Sequence, residues 1–226
     1  MKKLVVLTGS GISAESGLKT FRGEGGLWEG HSIYDVATPQ AFRKDPEMVL
    51  RFYNERRRQL LDVQPNKGHY GLVELEQHFD VHIITQNVDD LHERAGSSRI
   101  MHLHGELKKM RSASDPQLIK HCEQDIQLGD LAPDGGQWRP HVVWFGEDVP
   151  MMFPASRLAS QADVLVIVGT SLLVYPANTL LDFAPQHAPI YIVDPNRPSG
   201  YTDSRITFIE EPATVGVPKL KELLLG

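Results

Sequence analysis

The chain has 226 residues, 41% of them hydrophobic and 23% charged, with 23 basic against 29 acidic side chains and a single cysteine, Cys122. That length suits one large domain or one domain carrying an insertion, at roughly 150 residues per domain. The net charge of −6 argues against a nucleic-acid binder, which needs clustered basic charge. One cysteine excludes an internal disulfide framework and a four-cysteine zinc site.

Taken in chain order, residues 4–7 form the first apolar run, broken by Thr8-Gly9-Ser10-Gly11. Four apolar residues are too few for a secretory core of about 7–15. No run approaches the ~18 apolar residues of a membrane span, so a cytoplasmic protein is expected. Residues 24–39 are rich in Gly and aromatic side chains and read as a long functional loop. Residues 46–61 and 68–78 carry apolar side chains at helical spacing. A second apolar run, 81–84, meets Thr85-Gln86-Asn87. Residues 108–139 are polar and broken by Pro116, Pro133, Gly135 and Gly136, and read as an inserted module. Residues 142–145 are a candidate strand. Runs 164–168 and 190–193 end at Gly169-Thr170-Ser171 and Asp194-Pro195-Asn196, and 217–225 reads as a terminal helix.

Short Val- and Ile-rich runs alternating with helices predict an α/β fold with a doubly wound parallel sheet buried on both faces. The expected division is a Rossmann-like core over about 1–26, 76–107 and 142–226, with a small module over about 27–75 and 108–141. Ligands of such sheets bind beyond the carboxyl ends of the strands. The first such end is Gly9-Ser10-Gly11-Ile12-Ser13-Ala14, a G-x-G-x-x-A turn that lets backbone approach a pyrophosphate at a helix N-terminus. Taken alone, the turn is nearly as well explained by tight strand–helix packing. No Gly-Lys-Ser/Thr follows, so it is not a P-loop.

The run from Gly9 to Gly17, followed by Thr20-Phe21-Arg22, resembles the opening signature of the sirtuins, the NAD-dependent protein deacylases. Thr85-Gln86-Asn87-Val88-Asp89-Asp90-Leu91-His92, then Leu103-His104-Gly105, then Gly169-Thr170-Ser171 with Val174-Tyr175-Pro176, resemble the later signatures in family order. The resemblance implies NAD as co-substrate and an acylated lysine in a protein or peptide as partner. In the family reaction the acyl oxygen attacks the ribose carbon as nicotinamide leaves. A base then activates a ribose hydroxyl, giving free lysine and O-acyl-ADP-ribose. His104 is then the expected base, since imidazole titrates near neutral pH. Asn87 and Arg22 join it as catalytic candidates.

By the same resemblance the nucleotide falls to Gly9, Ser10, Gly11, Ala14, Glu15, Phe21, Arg22, Gln86, Asn87, Asp89, Gly169, Thr170, Ser171, Asp194, Asn196 and Ala213. Phe21 would shield the reacting carbon from water, and Asp194 suits ribose hydroxyls. The peptide falls to Val143, Phe145 and Gly146, through an added strand. Tyr53 and Arg56, three apart on a helix, share a face. A phenol beside a guanidinium suits a carboxylate. This pair, with Ala37 widening the pocket, resembles the sirtuin subgroup that removes succinyl and malonyl groups. Taken alone, the run Arg56-Arg57-Arg58 reads equally well as a solvated basic face.

Most sirtuins bind a structural zinc through four cysteines; here Ser112 or a neighbour takes the place of the first, and no metal is expected. A metal reading of His102 and His104, with His69, His92 or His141, is weaker because no carboxylate or cysteine stands at ligand spacing. Two other functions fit the residues: an NAD-dependent ADP-ribosyltransferase, and a non-catalytic NAD-binding module. Oligomeric state is not legible.

Overall fold

The computed structural model describes residues 1–19, 27–28, 30–197, 200 and 202–226. In chain order the strands are Lys3–Thr8 (β1), Leu27–Trp28 (β2), His31–Ser32 (β3), Asp80–Thr85 (β4), Ile100–His102 (β5), Gly105–Ser112 (β6), Ile119–His121 (β7), Trp138–Val142 (β8), Val164–Val168 (β9), Ile190–Val193 (β10) and Ile206–Ile209 (β11). The helices are Gly11–Ala14 (α1), Ile33–Val36 (α2), Pro39–Lys44 (α3), Pro46–Asp62 (α4), Lys67–Leu75 (α5), Leu91–Ala95 (α6), Met152–Ala159 (α7) and Ala213–Leu225 (α8), with a 3₁₀ helix at Ala177–Phe183.

Six strands pair in parallel in the order β11-β10-β9-β1-β4-β5. Alternate residues of β1 serve opposite faces. Leu4 and Val6 pack with Leu72 and Leu75 of α5 and Val217 and Leu220 of α8. Val5 and Leu7 pack with Ala155 and Ala159 of α7 and Leu180 of the 3₁₀ helix. Both faces are therefore dry, which is why the strands read as continuous apolar runs rather than alternating ones. This is the doubly wound sheet that the sequence predicted.

Beside it lies an antiparallel sheet, β7-β6-β8. Its strand β6 departs from the large sheet's edge at Gly105, whose φ of +81° suits glycine. A Cβ there would strike the carbonyl of His141. Helices α2 and α4 complete this layer around Val36, Phe52, Tyr53, Leu107 and Trp144. Capping side chains set the starts of α3 and α4: Thr38 accepts from Ala41 N, and Asp45 from Met48 N.

The structure corrects several expectations. Helix α5, expected in the small module, packs on the parallel sheet through Leu72 and Leu75. Within residues 24–39 the described part is not a bare loop: β2 and β3 form a hairpin and α2 follows. Strand β8 ends at Val142, so residues 143–145 are not a strand. They are tied instead to two different segments: Val143 N donates to the His104 carbonyl at 2.8 Å and Phe145 N to that of Ala37 at 3.0 Å.

Ser112 occupies a turn junction in the antiparallel layer. Its buried hydroxyl donates to Asp134 at 2.8 Å and accepts from Ser114 N at 3.0 Å, while Asp134 accepts from Gly136 N at 3.0 Å. Two loops are thus joined by hydrogen bonds. Around them Met110, Cys122, Ile126 and Trp138 form a separate apolar cluster. Among the described residues no group of His, Cys, Asp and Glu could hold a metal ion.

Candidate active site

The carboxyl ends of β1, β4 and β9 open into a cavity of about 1390 Å³. Its floor exists because three glycines let two turns touch. Gly11 N donates to the Gly169 carbonyl at 2.8 Å. A Cβ on Gly11 would lie 2.6 Å from the Gly169 Cα, and one on Gly9 would lie 2.7 Å from the Gly169 carbonyl oxygen. Gly169 itself has φ +64°. A pyrophosphate-bearing ligand needs such close backbone access, so the donor set and cradle fit a dinucleotide. Helix α1, however, has a single turn. The glycine-lined backbone, rather than a long helix dipole, is what the site offers.

Two turns stiffen this floor. Thr170 Oγ1 accepts from Leu172 N at 3.2 Å and from Gln86 Nε2 at 3.1 Å. Leu172 has φ +58°, unusual for a side-chain-bearing residue. Burial of that side chain against the core holds it there.

The turn after β4 carries a connected polar group. Asn87 Nδ2 donates to the Gly9 carbonyl at 3.1 Å and to Ser13 Oγ at 3.2 Å, and Ser13 Oγ donates to Asp89 Oδ2 at 2.9 Å. Leu91 N donates to the other Asp89 oxygen at 3.1 Å. Burial pushes the Asp89 carboxyl up to about 6, against the pull of those two bonds. Below this group Thr8 bonds His92, and His69 lies under Ser13. Burial holds His69 at about 4 and His92 well below the usual imidazole value, so both are neutral.

His104 stands on the cavity wall just beyond β5. Its Nδ1–H donates to the Gln86 carbonyl at 3.0 Å, which leaves Nε2 as the basic nitrogen. Burial lowers this imidazole, and the carbonyl partly opposes the shift. It is therefore uncharged and able to take a proton near neutral pH.

A second arm of the cavity runs between α2 and α4, past Trp28, Ala37, Tyr53, Arg56 and Gln59. The consecutive arginines point three ways. Arg57 is fully buried and donates to the carbonyls of Leu107 and Gln124. Arg58 is exposed and pairs with Asp125. Arg56 alone enters the cavity. It lies over the Phe52 ring, 4.4 Å from centroid to Cζ, and its Nε donates to Gln59. Its Nη1 is buried without a hydrogen-bond partner among the described residues. Tyr53 is fully buried and accepts a hydrogen bond from Trp144 Nε1 at 3.0 Å.

The cavity gathers nearly all the residues expected at the site: Gly9, Ser10, Gly11, Ala14 and Glu15; Gln86, Asn87, Asp89 and His104; Gly169, Thr170 and Ser171; Asp194 and Asn196; Ala37, Tyr53 and Arg56; and Val143, Phe145 and Gly146. Two need qualification. Glu15 has both oxygens engaged by Thr214, which ties α1 to α8. Asp194 accepts from Asn196 N at 2.8 Å, so the two form one turn. Ala213 does not reach the wall; it starts α8 facing the core, and Pro212 lines the cavity instead. Phe21 and Arg22 lie outside the described residues. Sequence reasoning missed Trp28, Gln59 and the indole of Trp144 as pocket groups. It placed Ser13 only in the first turn and His69 only in the weaker metal reading, not in the polar group beneath Asn87 and Asp89; the Asn66 cap with His69 three residues on was the available signal for the latter.

The Sir2 family model matches residues 9–176. An NAD-dependent protein deacylase of Helicobacter pylori (strain J99) is 55% identical over 227 residues, covering 99% of this chain and 97% of the relative. One of Bacteroides thetaiotaomicron is 52% identical over 231 residues, covering 100% and 99%. A solved complex of a Sir2 homologue with NAD superposes with a TM-score of 0.88 at 38% identity, over 99% of this chain and 90% of that one. A Sir2 complex with a p53 peptide and NAD+ superposes with a TM-score of 0.81 at 29% identity, over 97% and 92%. The glycine cradle, the Asn87–Asp89 turn and His104 all lie within the matched span, and the chain belongs to the Sir2 family.

Proposed function

We propose that this chain is an NAD-dependent protein-lysine deacylase that works best on acidic acyl groups such as succinyl and malonyl. The deacylase part follows from membership of the family and from relatives that bear that name over their whole length. NAD supplies an activated ribose carbon and a departing nicotinamide. The chain's residues do the rest. The glycine-lined floor admits the phosphates, Thr170 and Ser171 offer hydroxyls, and Asp194 stands where a ribose would need an acceptor. Asn87 and Asp89 fix the turn beside the reacting carbon. His104 takes a proton at Nε2, its tautomer set by the Gln86 carbonyl.

The acyl preference rests on Arg56. A buried guanidinium nitrogen with no partner is costly, on the order of 1–3 kcal/mol or more for a charged group. A carboxylate entering the arm past Ala37 would relieve that cost. Tyr53 already accepts from Trp144, so its own proton is left to donate toward the same carboxylate. An acetyl group offers neither partner. The test is the ratio of desuccinylation to deacetylation in wild type and in Arg56→Met. The ratio should collapse in the variant; equal losses on both substrates would remove the carboxylate receptor.

A further inference from the structure

The two histidines that flank Leu103 hold successive carbonyls of the Gln86-Asn87 turn. His104 Nδ1 meets the Gln86 oxygen at 3.0 Å, and His102 Nδ1 meets the Asn87 oxygen at 3.1 Å. They differ at the other ring nitrogen. His102 Nε2 lies 2.7 Å from Glu93 Oε1 on α6. Both nitrogens of His102 therefore face oxygens that can only accept. A neutral imidazole has one N–H and one lone pair, so it would leave a lone pair pointing at a carbonyl or a carboxylate. The alternative, a protonated Glu93 donating to a neutral ring, conflicts with the 40% exposure of that carboxyl.

The geometry points to His102 as a doubly protonated positioning residue, an imidazolium that clamps the Asn87 carbonyl and takes Glu93 as its counterion. Asn87 in turn spans Gly9 and Ser13. A chain of contacts thus runs from α6 through the sheet edge to the first glycine turn. The proposal rests on the reading of Asn87 and His104 as catalytic residues.

The charges around His102 support the assignment. Burial alone would pull it down, but the Glu93 carboxylate, the Asn87 carbonyl and Glu106 on β6 outweigh burial and hold it above the usual imidazole value. Burial would raise Glu93, yet its bond to His102 leaves it below the usual carboxylate value. The charge of His102 also helps keep Asp89 ionised and His92 neutral. Lys109 faces Glu93 from β6. When His102 loses its second proton, one of its two hydrogen bonds is lost with it. Activity then declines on the alkaline side, separately from the acid-side loss set by His104.

Nitrogen-15 NMR of the histidine rings in the wild-type chain at pH 7.5 tests this, with His102→Asn assigning the signal. Two protonated nitrogens on His102 are expected; a neutral tautomer would overturn the proposal. The paired experiment is the pH profile of kcat/KM for Glu93→Gln. Its alkaline limb should move down by about one unit, with the acid limb in place and a loss approaching about tenfold at pH values above the wild-type limb. An unmoved alkaline limb would also overturn it. If no acylated peptide is consumed at any pH, the functional reading fails, while the NMR result still decides the charge of His102.

Discussion

Trp144 donates its indole N–H to the Tyr53 hydroxyl at 3.0 Å, in a core where both side chains are almost wholly buried. Trp144 itself sits under Arg139, 3.2 Å from ring centroid to Cζ, and Arg139 is paired with Glu147. The phenol that lines the second arm of the cavity is therefore fixed from behind by the same residues that shape the 143–147 loop. Trp144→Phe should keep the packing and remove the donor. Desuccinylation is expected to fall by roughly 5–10-fold, the worth of about 1–1.5 kcal/mol for one hydrogen bond. Deacetylation should change much less. Equal falls in both rates would place Trp144 in folding rather than in substrate choice.

His104→Ala should reduce deacylation by at least about 10²-fold, the usual contribution of a positioned base. In the wild type, activity is expected to persist below pH 6.5, because burial lowers the folded-state pKa of His104. The acid limb of kcat/KM checks this. A midpoint above the ordinary imidazole value would remove His104 from the role.

The buried histidines make stability depend on pH. His69 is held at about 4 in the folded chain but titrates near 6.5 when unfolded. Between these values the unfolded chain binds a proton that the folded chain refuses. Stability is complete above pH 6.5 and falls as pH drops toward 4, at about 1.4 kcal/mol per unit within that window. Asp89, raised to about 6, acts with the opposite sign from pH 6 down to the ordinary carboxylate range. His69→Gln isolates the term. Urea melts between pH 4.5 and 6.5 should show a shallower slope for the variant than for wild type, and identical slopes would contradict the assignment.

The fold was legible where burial writes itself into composition. The runs ending at Thr8, Thr85, Gly169 and Asp194 are strands buried on both faces, and each end contributes to the cavity. Strand β6 was not legible, because its sequence Gly105–Ser112 is mostly polar and its pairing with β8 is interrupted between Glu106 and Met110. Strand β11 was short but regular, and its alternation at Ile206, Phe208 and the intervening Thr207 was an available signal. Arg56 could be separated from Arg57 and Arg58 only by helical phase. Nothing local in the sequence marks Arg57 as the fully buried one; contacts 50 and 67 residues away in Leu107 and Gln124 decide it.

The junction at Ser112 predicts how the antiparallel layer is held. Treating the purified chain with a strong chelator is expected to leave its Tm unchanged. Ser112→Ala should lower Tm, because Asp134 and the Ser114 amide lose a common partner. A chelator-induced drop in Tm would show that a metal supports this layer.

The most direct test of the central claim is product analysis by mass spectrometry. The wild-type chain is incubated with NAD and matched peptides carrying succinyl-, malonyl- or acetyl-lysine. The expected result is free lysine and O-acyl-ADP-ribose in each case, formed faster from succinyl and malonyl peptides than from acetyl. Faster turnover of the acetyl peptide would contradict the role given to Tyr53 and Arg56, and three unchanged peptides would contradict the deacylase itself.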